Sequence, residues 1–408
     1  MDLAAVAWLT SPAGERMLTH LGAYADSDAI ALVTRLRRDG LSAEQAAAVV
    51  TQQELRTRAR AKFAEQAAGM LFTPEGLEQA TRAEVAAVHA ARFMAAGVER
   101  VHDLGCGIGA DARAFAAAGL AVAAIDADPV TAAVAAANLR PWPAARAEVG
   151  RVEDAHLEVT GSGAWLDPGR RESGIRDARG RARRVTGLAQ LRPSWEQVCA
   201  VAARLPATGA KLAPAFPHNE IPPSAEAQWV SWSGDLVECA IWYWPLAATP
   251  GRTALILRPD RPAVTVTQAD APEPSPALSG LAGLGPWLYE VDKAIVQARL
   301  TAAVTTATDG SELEAGVGYV SGHAAYDIGA ARRYRVVDAM PHKPARLRMW
   351  LRERGITGVT IKQRGAGVEE GELRRQLRVG RGAGNGAQAV VVLTPVAGAL
   401  AAIVVEPA

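Results

Sequence analysis

The sequence predicts an α/β protein with a mostly parallel sheet, an N-terminal helical lead-in and a smaller C-terminal α+β domain. From Val98 onward, short apolar segments of strand length alternate with alanine-rich segments of helical length. This alternation is typical of βαβ units, whose strands pair in parallel. A β-rich stretch over residues 229–246 has Ser233-Gly234-Asp235 as its turn, which predicts a hairpin at one edge of the sheet.

The first 97 residues have the pattern of a helical lead-in. Ser42, with Glu44 close behind it and apolar residues at helical spacing after it, predicts one helix start. Thr73-Pro74 predicts another, because threonine caps helices and proline suits the first helical position. Gly97 is a suitable C-cap for the last of these helices. We expect no secretory signal at the N-terminus, which lacks a basic start and a long apolar stretch.

Changes in composition divide the rest of the chain into three parts. Residues 98–262 form the predicted α/β core, and residues 263–286, rich in Pro, Ala and Gly, are predicted to be a linker. Residues 287–408 form the smaller α+β domain. Within it, the apolar stretch Ala389–Val405 contains Pro395 and Gly398, which predict a buried strand–turn–strand and not a membrane anchor.

The overall composition excludes several protein classes. With 408 residues, 49% apolar and 21% charged, the chain has the profile of a folded protein of two or three domains, not of a disordered, collagenous or polytopic membrane protein. Its net charge of +1 excludes a general polycation, although local basic patches remain. Cys106, Cys199 and Cys239 are far apart and form no C-x-x-C pair, so we expect no metal site, no disulfide scaffold and a cytoplasmic location.

A glycine-rich loop, Asp103-Leu-Gly-Cys-Gly-Ile-Gly109, lies between the first predicted strand and a helix. Glycines here permit a tight turn and let backbone N–H groups approach a ligand. The next strand ends in Asp126, where a carboxylate can accept hydrogen bonds from both ribose hydroxyls of an adenosine. With Ala110 as the final small residue, the loop also loosely fits a dinucleotide fingerprint, so the spacing alone leaves two ligand classes open.

The combination D-L-G-C-G-x-G and I-D-x-D-P resembles the first motif, and its acidic successor, of class I S-adenosylmethionine-dependent methyltransferases, which have a Rossmann-like core. The resemblance implies S-adenosyl-L-methionine as the cofactor. It also implies that the cofactor-binding residues are Asp103, Gly105, Gly107, Gly109, Asp126 and Asp154. In this interpretation Asp126 binds the ribose, Asp103 meets the amino group of the methionine part, and Asp154 contacts the adenine amino group.

The candidate catalytic loop begins with Asp167 and Pro168, which end the predicted fourth strand and should face the cleft at the carboxyl ends of the strands. They resemble the D/N-P-P-aromatic motif of methyltransferases that act on base nitrogens. In that motif the acid and a proline carbonyl accept hydrogen bonds from the target nitrogen. Here the second proline and the aromatic residue are replaced by Gly169-Arg170-Arg171. An arginine plane can stack on a base or bind a phosphate, which makes Arg170 a third catalytic candidate and Arg171 a substrate-binding one.

Further candidates surround this loop. Lys211 and His218 follow the fifth strand on the same side of the sheet as Asp167, and both are candidates for proton handling or substrate contact. Seven arginines crowd a short segment, a composition that suits phosphate binding: Arg170, Arg171, Arg176, Arg179, Arg181, Arg183 and Arg184. The tryptophans of the predicted hairpin are interpreted as packing residues.

Over nearly its full length the chain resembles a bacterial, especially actinobacterial-type, family that joins a class I methyltransferase core to a C-terminal THUMP-like domain. The matching stretches include LFTPEGLEQAT, DLGCGIGAD, WLDPGRR, KLAPAFPHNEIP and IKQRGAGVEEGELRRQL. A more distant likeness is to trimethylguanosine synthase. The family resemblance implies that residues from about 287 onward bind structured RNA. Independently, residues 342–381 carry eleven Lys and Arg against four Glu, which suits a phosphate backbone.

The sequence therefore predicts an S-adenosylmethionine-dependent methyltransferase that acts on a base nitrogen in RNA, either tRNA or rRNA. Three alternatives stay open. The chain could be a nicotinamide-dependent oxidoreductase, a non-catalytic RNA-binding protein with a vestigial cofactor pocket, or a methyltransferase of a protein or small molecule.

Overall fold

The computed structural model describes residues 1–21, 29–169, 171–176, 182–184, 187–272, 274–378, 380–381 and 387–408. Of residues 171–176, 182–184 and 380–381 it describes the backbone only. The chain divides into two compact units. The first contains residues 1–212 and 241–248, and the second contains residues 213–240 and 249–408.

Among the described residues, six helices form the N-terminal part of the first unit: α1 (Leu3–Leu9), α2 (Pro12–His20), α3 (Ala29–Arg38), α4 (Ala43–Phe63), α5 (Pro74–Gln79) and α6 (Ala83–Ala95). A 3-10 turn over Ala64–Gly69 follows α4. The predicted starts at Ser42 and Thr73 are confirmed. The Ser42 side chain caps α4 in a capping box with Gln45, and Thr73 caps α5 by accepting a hydrogen bond from the Gly76 backbone N–H.

The core of the first unit is a parallel sheet with the order β3-β2-β1-β4-β7. Its strands and helices in chain order are β1 (Arg100–Leu104), α7 (Ala110–Ala117), β2 (Ala121–Asp126), α8 (Pro129–Leu139), β3 (Ala145–Val149), β4 (Ser162–Leu166), α9 (Trp195–Arg204) and β7 (Thr208–Leu212). The short strands β5 (Arg171–Arg176) and β6 (Ala182–Arg184) pair with each other, antiparallel. Short 3-10 turns cover Val152–Asp154 and Leu188–Gln190. The alternation of strands and helices thus gives the parallel sheet that the sequence predicts.

The helical lead-in shares one hydrophobic core with the sheet layer, since Phe63, Phe72 and Leu77 pack in the same cluster as Ile108 and Val134. Asn138 of α8 ties the two parts together and is itself buried. Its Oδ1 accepts a hydrogen bond from the Leu71 N–H at 2.7 Å, and its Nδ2 donates to the carbonyls of Leu71 and Ile108, each at 2.9 Å. Because Ile108 belongs to the glycine loop, the lead-in supports that loop directly.

The second unit begins with a 3-10 turn over His218–Glu220 and the strands β8 (Glu226–Trp232), β9 (Asp235–Trp242), β10 (Gly251–Arg258) and β11 (Arg261–Thr267). The last two residues of β9, Ile241 and Trp242, belong to the first unit. The predicted hairpin exists as β8 and β9, which are neighbours in their sheet. It is not at an edge, because β8 also pairs in parallel with β10, and β11 pairs antiparallel with β10. The buried apolar run Ala254–Leu257 of β10 explains this, since such a strand needs neighbours on both sides. Strand β11 also extends into residues 263–267, the start of the predicted linker.

The remainder of the second unit is an eight-stranded sheet with the order β13-β14-β12-β15-β19-β18-β16-β17. Short 3-10 turns at Gln268–Asp270 and Leu281–Gly283 precede it. Its elements are β12 (Trp287–Val291), α10 (Lys293–Gln297), α11 (Thr301–Thr308), β13 (Ser311–Glu312), β14 (Tyr319–Gly322), β15 (Ala331–Pro341), α12 (Pro344–Glu353), β16 (Ile356–Gln363), α13 (Glu370–Leu377), β17 (Gly380–Arg381), β18 (Ala387–Val396) and β19 (Ala399–Pro407).

The C-terminal strand–turn–strand is confirmed, because β18 and β19 pair antiparallel around Ala397 and Gly398, both of which have positive φ. Throughout the described ranges, every helix is too short or too polar to cross a bilayer. The domain limits predicted at residues 97, 262 and 286 stay predictions, since the two compact units divide the chain differently.

The bridging role of Asn138 leads to a stability prediction. Asn138→Ala should lower the free energy of unfolding by roughly 2 kcal/mol or more, because it leaves three buried backbone groups without their partner. Thermal denaturation followed by circular dichroism would measure this. Asn219→Ala is the matched control, because Asn219 is exposed and should tolerate the change. Equal stability of the two variants would contradict the bridging role.

Candidate active site

The glycine loop connects β1 to α7 with backbone angles that favour glycine. Gly105, Gly107 and Gly109 have φ values of +94°, +55° and +81°. A Cβ on Gly105 would lie 3.3 Å from the carbonyl oxygen of Asp167, so the loop passes close to the start of the candidate catalytic loop. The parallel pairing of β1 with β4 explains this proximity, since Leu104 and Leu166, the last residues of the two strands, are register partners.

Asp126, at the end of β2, holds the glycine loop from the other side. One carboxylate oxygen accepts a hydrogen bond from the Gly107 N–H at 3.0 Å, and the other accepts from the Asp128 N–H at 2.9 Å. Burial raises the pKa of Asp126, whereas these two backbone donors act in the opposite direction. A carboxylate oxygen can accept more than one hydrogen bond, so Asp126 retains acceptor capacity for a pair of hydroxyl groups.

Asp103 lies buried in β1, directly before Leu104 and the loop, with 1% of its surface exposed. Among the described residues, neither of its carboxyl oxygens has a hydrogen-bond donor. Burial raises the pKa of Asp103 well above its usual value, and the nearby carboxylates of Asp111 and Asp167 raise it further. A buried carboxyl group without a donor is costly, which makes a ligand that brings a positive charge its natural complement.

Asp167 follows β4, and its side chain is 32% exposed. The Lys211 ammonium lies 2.5 Å from Asp167 Oδ2, and the Lys211 side chain is only 12% exposed. Pro168 is buried, and after it the backbones of Gly169 and Arg192 exchange two hydrogen bonds. Arg170 lies outside the described residues, as does the side chain of Arg171, whose backbone begins β5. The structure therefore brings together Asp103, the glycines, Asp126, Asp167 and Lys211 at the carboxyl ends of the strands.

Two predicted residues have different surroundings. Asp154 is exposed in a 3-10 turn after β3, and its contact with adenine stays a prediction. His218 belongs to the second unit, where its ring stacks on Trp229 at a centroid distance of 4.7 Å and its Nε2 donates to the Gln297 carbonyl at 3.0 Å. Burial lowers the pKa of His218. Its role in substrate contact also stays a prediction.

Sequence reasoning missed three residues next to this site, namely Thr81, His89 and Asp111. The Lys211 ammonium donates to Thr81 Oγ1 at 2.8 Å, and that hydroxyl in turn contacts Asp111 at 2.6 Å. The only sequence signal for Asp111 is its position two residues after Gly109, the last glycine of the loop. No local pattern joins Thr81 to Lys211, since the two are 130 residues apart in the chain. Within the described ranges, no group of three or more His, Cys, Asp or Glu side chains could hold a metal ion.

The comparisons with known proteins agree with this geometry. Residues 331–407 match the family described as THUMP domain-like, and residues 2–59 match a domain of unknown function. Two relatives from Mycobacterium tuberculosis, strains CDC 1551 and H37Rv, are 28% identical over 354 residues, which is 85% of this chain and 92% of theirs. Both are named uncharacterized S-adenosylmethionine-dependent methyltransferases. This chain is their homologue.

The fold comparison extends over 95% of this chain. A crystal structure described as a "putative methyltransferase" from Porphyromonas gingivalis W83 superimposes with a TM-score of 0.72 at 17% identity, covering 95% of this chain and all of that one. The predicted resemblance, the α/β fold class and the THUMP-like C-terminal domain are confirmed. The names of the two relatives also confirm the predicted enzyme class, a methyltransferase, and the predicted cofactor, S-adenosyl-L-methionine.

The residues present fit this cofactor. Its ammonium group matches the buried Asp103 carboxyl, which lacks a donor among the described residues. Its ribose hydroxyls match the acceptor capacity of Asp126, beside loop glycines on which a side chain would be strained. When bound, S-adenosyl-L-methionine supplies a methyl group on a positively charged sulfur with a neutral thioether as leaving group. Asp103, Asp126 and the loop glycines are the residues that would hold it.

The buried Asp103 yields a prediction that couples stability to binding. In Asp103→Asn the ligand-free protein should be more stable at neutral pH, because a buried group that favours its neutral form is replaced by a permanently neutral one. The raised pKa of Asp103 also determines how the stability difference between the variant and the wild type depends on pH. As pH rises above about 3.8, the unfolded chain loses this proton and the folded wild type keeps it, so wild-type stability falls and the advantage of the variant grows.

The same variant should bind S-adenosyl-L-methionine more weakly, because asparagine cannot pair with an ammonium charge. Thermal unfolding at about pH 5 and about pH 7.5 would measure the first effect, and isothermal titration the second. Glu148→Gln, which alters an exposed carboxylate, is the matched control and should change neither. A destabilised variant with unchanged cofactor affinity would contradict this role of Asp103.

Proposed function

We propose that this protein transfers a methyl group from S-adenosyl-L-methionine to a nitrogen atom of a base in RNA, either tRNA or rRNA. Its THUMP-like domain would bind that RNA, and its location would be the cytoplasm. The observation that carries the proposal is the position of Asp167. Asp167 directly follows β4, and its carboxylate is partly exposed. Its backbone carbonyl oxygen lies close to Gly105 of the glycine loop.

Asp167 offers two kinds of acceptor to a base amino group. Its carboxylate accepts an N–H, and the backbone of the Asp167-Pro168 segment supplies carbonyl oxygens. Holding the N–H groups in this way aims the nitrogen lone pair, which is the positioning that methyl transfer requires. The ion pair with Lys211 favours the charged form of the carboxylate, and only a charged carboxylate is a pure acceptor.

The bond changes are simple. The nitrogen lone pair forms the N–CH3 bond while the C–S bond breaks, and its electron pair stays on sulfur. The methylated nitrogen then carries a positive charge and releases one proton, which Asp167 is placed to accept. No metal ion is needed to balance this reaction.

The second unit supports RNA as the substrate class through its charge distribution. Several basic residues of the 342–381 segment are engaged inside the domain: Lys362 and Arg364 contact Glu290, and Arg374 contacts Glu370. By contrast, Arg346, Arg348 and Arg352 lie on the exposed face of α12, while Leu347, Trp350 and Leu351 form its buried face. These three arginines, here called the α12 basic face, suit contacts to a phosphate backbone.

The first test concerns Asp167. Asp167→Asn should reduce kcat for methyl transfer at least about a hundredfold, because an amide cannot accept a proton and pairs poorly with Lys211. Cofactor affinity should change little. The assay would use labelled S-adenosyl-L-methionine with total tRNA and rRNA from cells that lack the protein, followed by mass spectrometry of the nucleosides. Glu148→Gln serves as the matched acid control.

Three results would speak against the proposal. Full activity of Asp167→Asn would exclude this catalytic role. Labelling of protein or small molecules in place of RNA would exclude the proposed substrate. Tight cofactor binding by the wild type without transfer to any RNA pool would favour a non-catalytic RNA-binding protein.

The second test concerns the α12 basic face. Substituting alanine for Arg346, Arg348 and Arg352 together should weaken RNA binding. The slope of log affinity against log salt should also fall, by up to about one for each phosphate that the variant no longer neutralises. The matched control removes the same charge from another exposed helix, by alanine at Arg35, Arg37 and Arg38 of α3. Filter binding over a range of salt would measure both. An equal loss of affinity in the control would show that total charge, and not this face, governs binding.

A further inference from the structure

A line of polar side chains runs from Asp167 into the interior of the first unit. Lys211 contacts Asp167 at 2.5 Å and Thr81 at 2.8 Å. The Thr81 hydroxyl is 2.6 Å from Asp111 Oδ2, and His89 Nδ1 is 2.8 Å from Asp111 Oδ1. Thr81, Asp111 and His89 are all buried, with exposed fractions of 6%, 5% and 1%.

The donor capacity of each group fixes the direction of these hydrogen bonds. An ammonium group can only donate, so Thr81 Oγ1 accepts the hydrogen bond from Lys211. The single proton of the Thr81 hydroxyl is therefore directed to Asp111 Oδ2. Burial alone would raise the pKa of Asp111, but the bond from His89, the charge of Lys211 and the bond from Thr81 together hold the pKa below its usual value. The ionised Asp111 thus accepts two hydrogen bonds, one from the Thr81 hydroxyl and one from His89 Nδ1.

Aromatic side chains pack around His89, the innermost residue of this hydrogen-bonded chain. The His89 ring lies 4.3 Å from the Trp165 ring and 5.7 Å from the Trp242 ring, measured between centroids. Trp165 and Trp242 also pack on each other at 5.2 Å. A Cβ on Gly209 would come within 2.6–2.8 Å of these two indoles, so the strand that carries Lys211 needs a glycine there.

We propose that Thr81 is a positioning residue of the active site: it anchors Lys211, which in turn orients the Asp167 carboxylate, while Asp111 and His89 fix the Thr81 hydroxyl. The inference rests on the proposed function, because it assumes that Asp167 contacts the target nitrogen. It also assigns Lys211 to the enzyme's own framework and not to direct RNA contact, in agreement with its contacts to Asp167 and Thr81 and its low exposure.

The kinetic test compares Thr81→Val with Thr81→Ser. Valine has nearly the same shape but no hydroxyl, so kcat should fall between about tenfold and a hundredfold, with KM for RNA and cofactor affinity little changed. Serine restores the hydroxyl and should recover most of the activity. Thr308→Val is the matched control, because the buried Thr308 hydroxyl donates to the Val304 carbonyl within its own helix, α11 of the second unit.

A readout that needs no RNA activity comes from lysine labelling. The chain has five lysines, of which Lys343 is exposed and Lys211 is not. Under reductive methylation of the full-length protein, followed by peptide mass spectrometry, Lys211 should react at least about tenfold more slowly than Lys343 in the wild type and in Thr81→Ser. In Thr81→Val this protection should be largely lost.

The pH profile gives a third readout. The positive charge of Lys211 acts to lower the pKa of Asp103 and of Asp111, and its ammonium group forms an ion pair with Asp167. Lys211→Met removes the charge that favours ionised Asp167, so the acid limb of the kcat profile should move to higher pH. Thr81→Val should move it in the same direction by a smaller amount, and Lys211→Arg should leave it near the wild type.

The possible failures are distinguishable. If the wild type methylates RNA and Thr81→Val keeps full kcat, or if Lys211 reacts as fast as Lys343 in the wild type, the positioning role is overturned while the proposed function stands. If the wild type transfers no methyl group to RNA although Lys211 is protected, the proposed function is overturned, and the positioning role of Thr81 in that reaction with it.

Discussion

The parallel register of β1, β2, β4 and β7 is the constraint on which the site depends. It places the carboxyl ends of four strands side by side, so that the glycine loop, Asp126, Asp167 and Lys211 come to one edge of a single sheet. The Asp126 carboxylate holds the loop by accepting a hydrogen bond from the Gly107 N–H, and the Asp167 carbonyl lies close to Gly105, where it leaves little room for a side chain. A shift of one residue in this register would turn each of these side chains to the opposite face.

Charge balance is the second organising feature. The carboxylates of Asp111, Asp126 and Asp167 raise the pKa of Asp103, whereas the positive charge of Lys211 acts to lower the pKa of both Asp103 and Asp111. The four carboxyl groups differ in the partners that compensate for their burial. Asp111 has two internal donors, Asp126 has two backbone donors, and Asp167 has Lys211. Asp103 has no donor among the described residues, which is why its surroundings fit a cationic ligand.

In the second unit, tertiary structure separates basic residues that look equivalent in the sequence. Glu290 draws Lys362 and Arg364 into internal ion pairs, and Arg354 lies over the Trp350 ring at 4.2 Å. The α12 basic face remains on the surface. A basic segment is therefore not a uniform RNA-binding surface, because part of its charge stabilises the domain that presents the rest.

The sequence by itself determined the local features: the helix starts at Ser42 and Thr73, the glycine loop, Asp126 at a strand end, Asp167 at another, and the strand–turn–strand around Gly398. Each of these depends on backbone conformation or on the ends of elements, which neighbouring residues control. Only the tertiary structure decided which polar side chains contact one another. Thr81 and Lys211 are 130 residues apart, and Thr81 and Asp111 are 30 apart. The inner position of the β8–β9 hairpin has the same origin, because the lateral order of strands depends on non-local pairing that no single segment encodes.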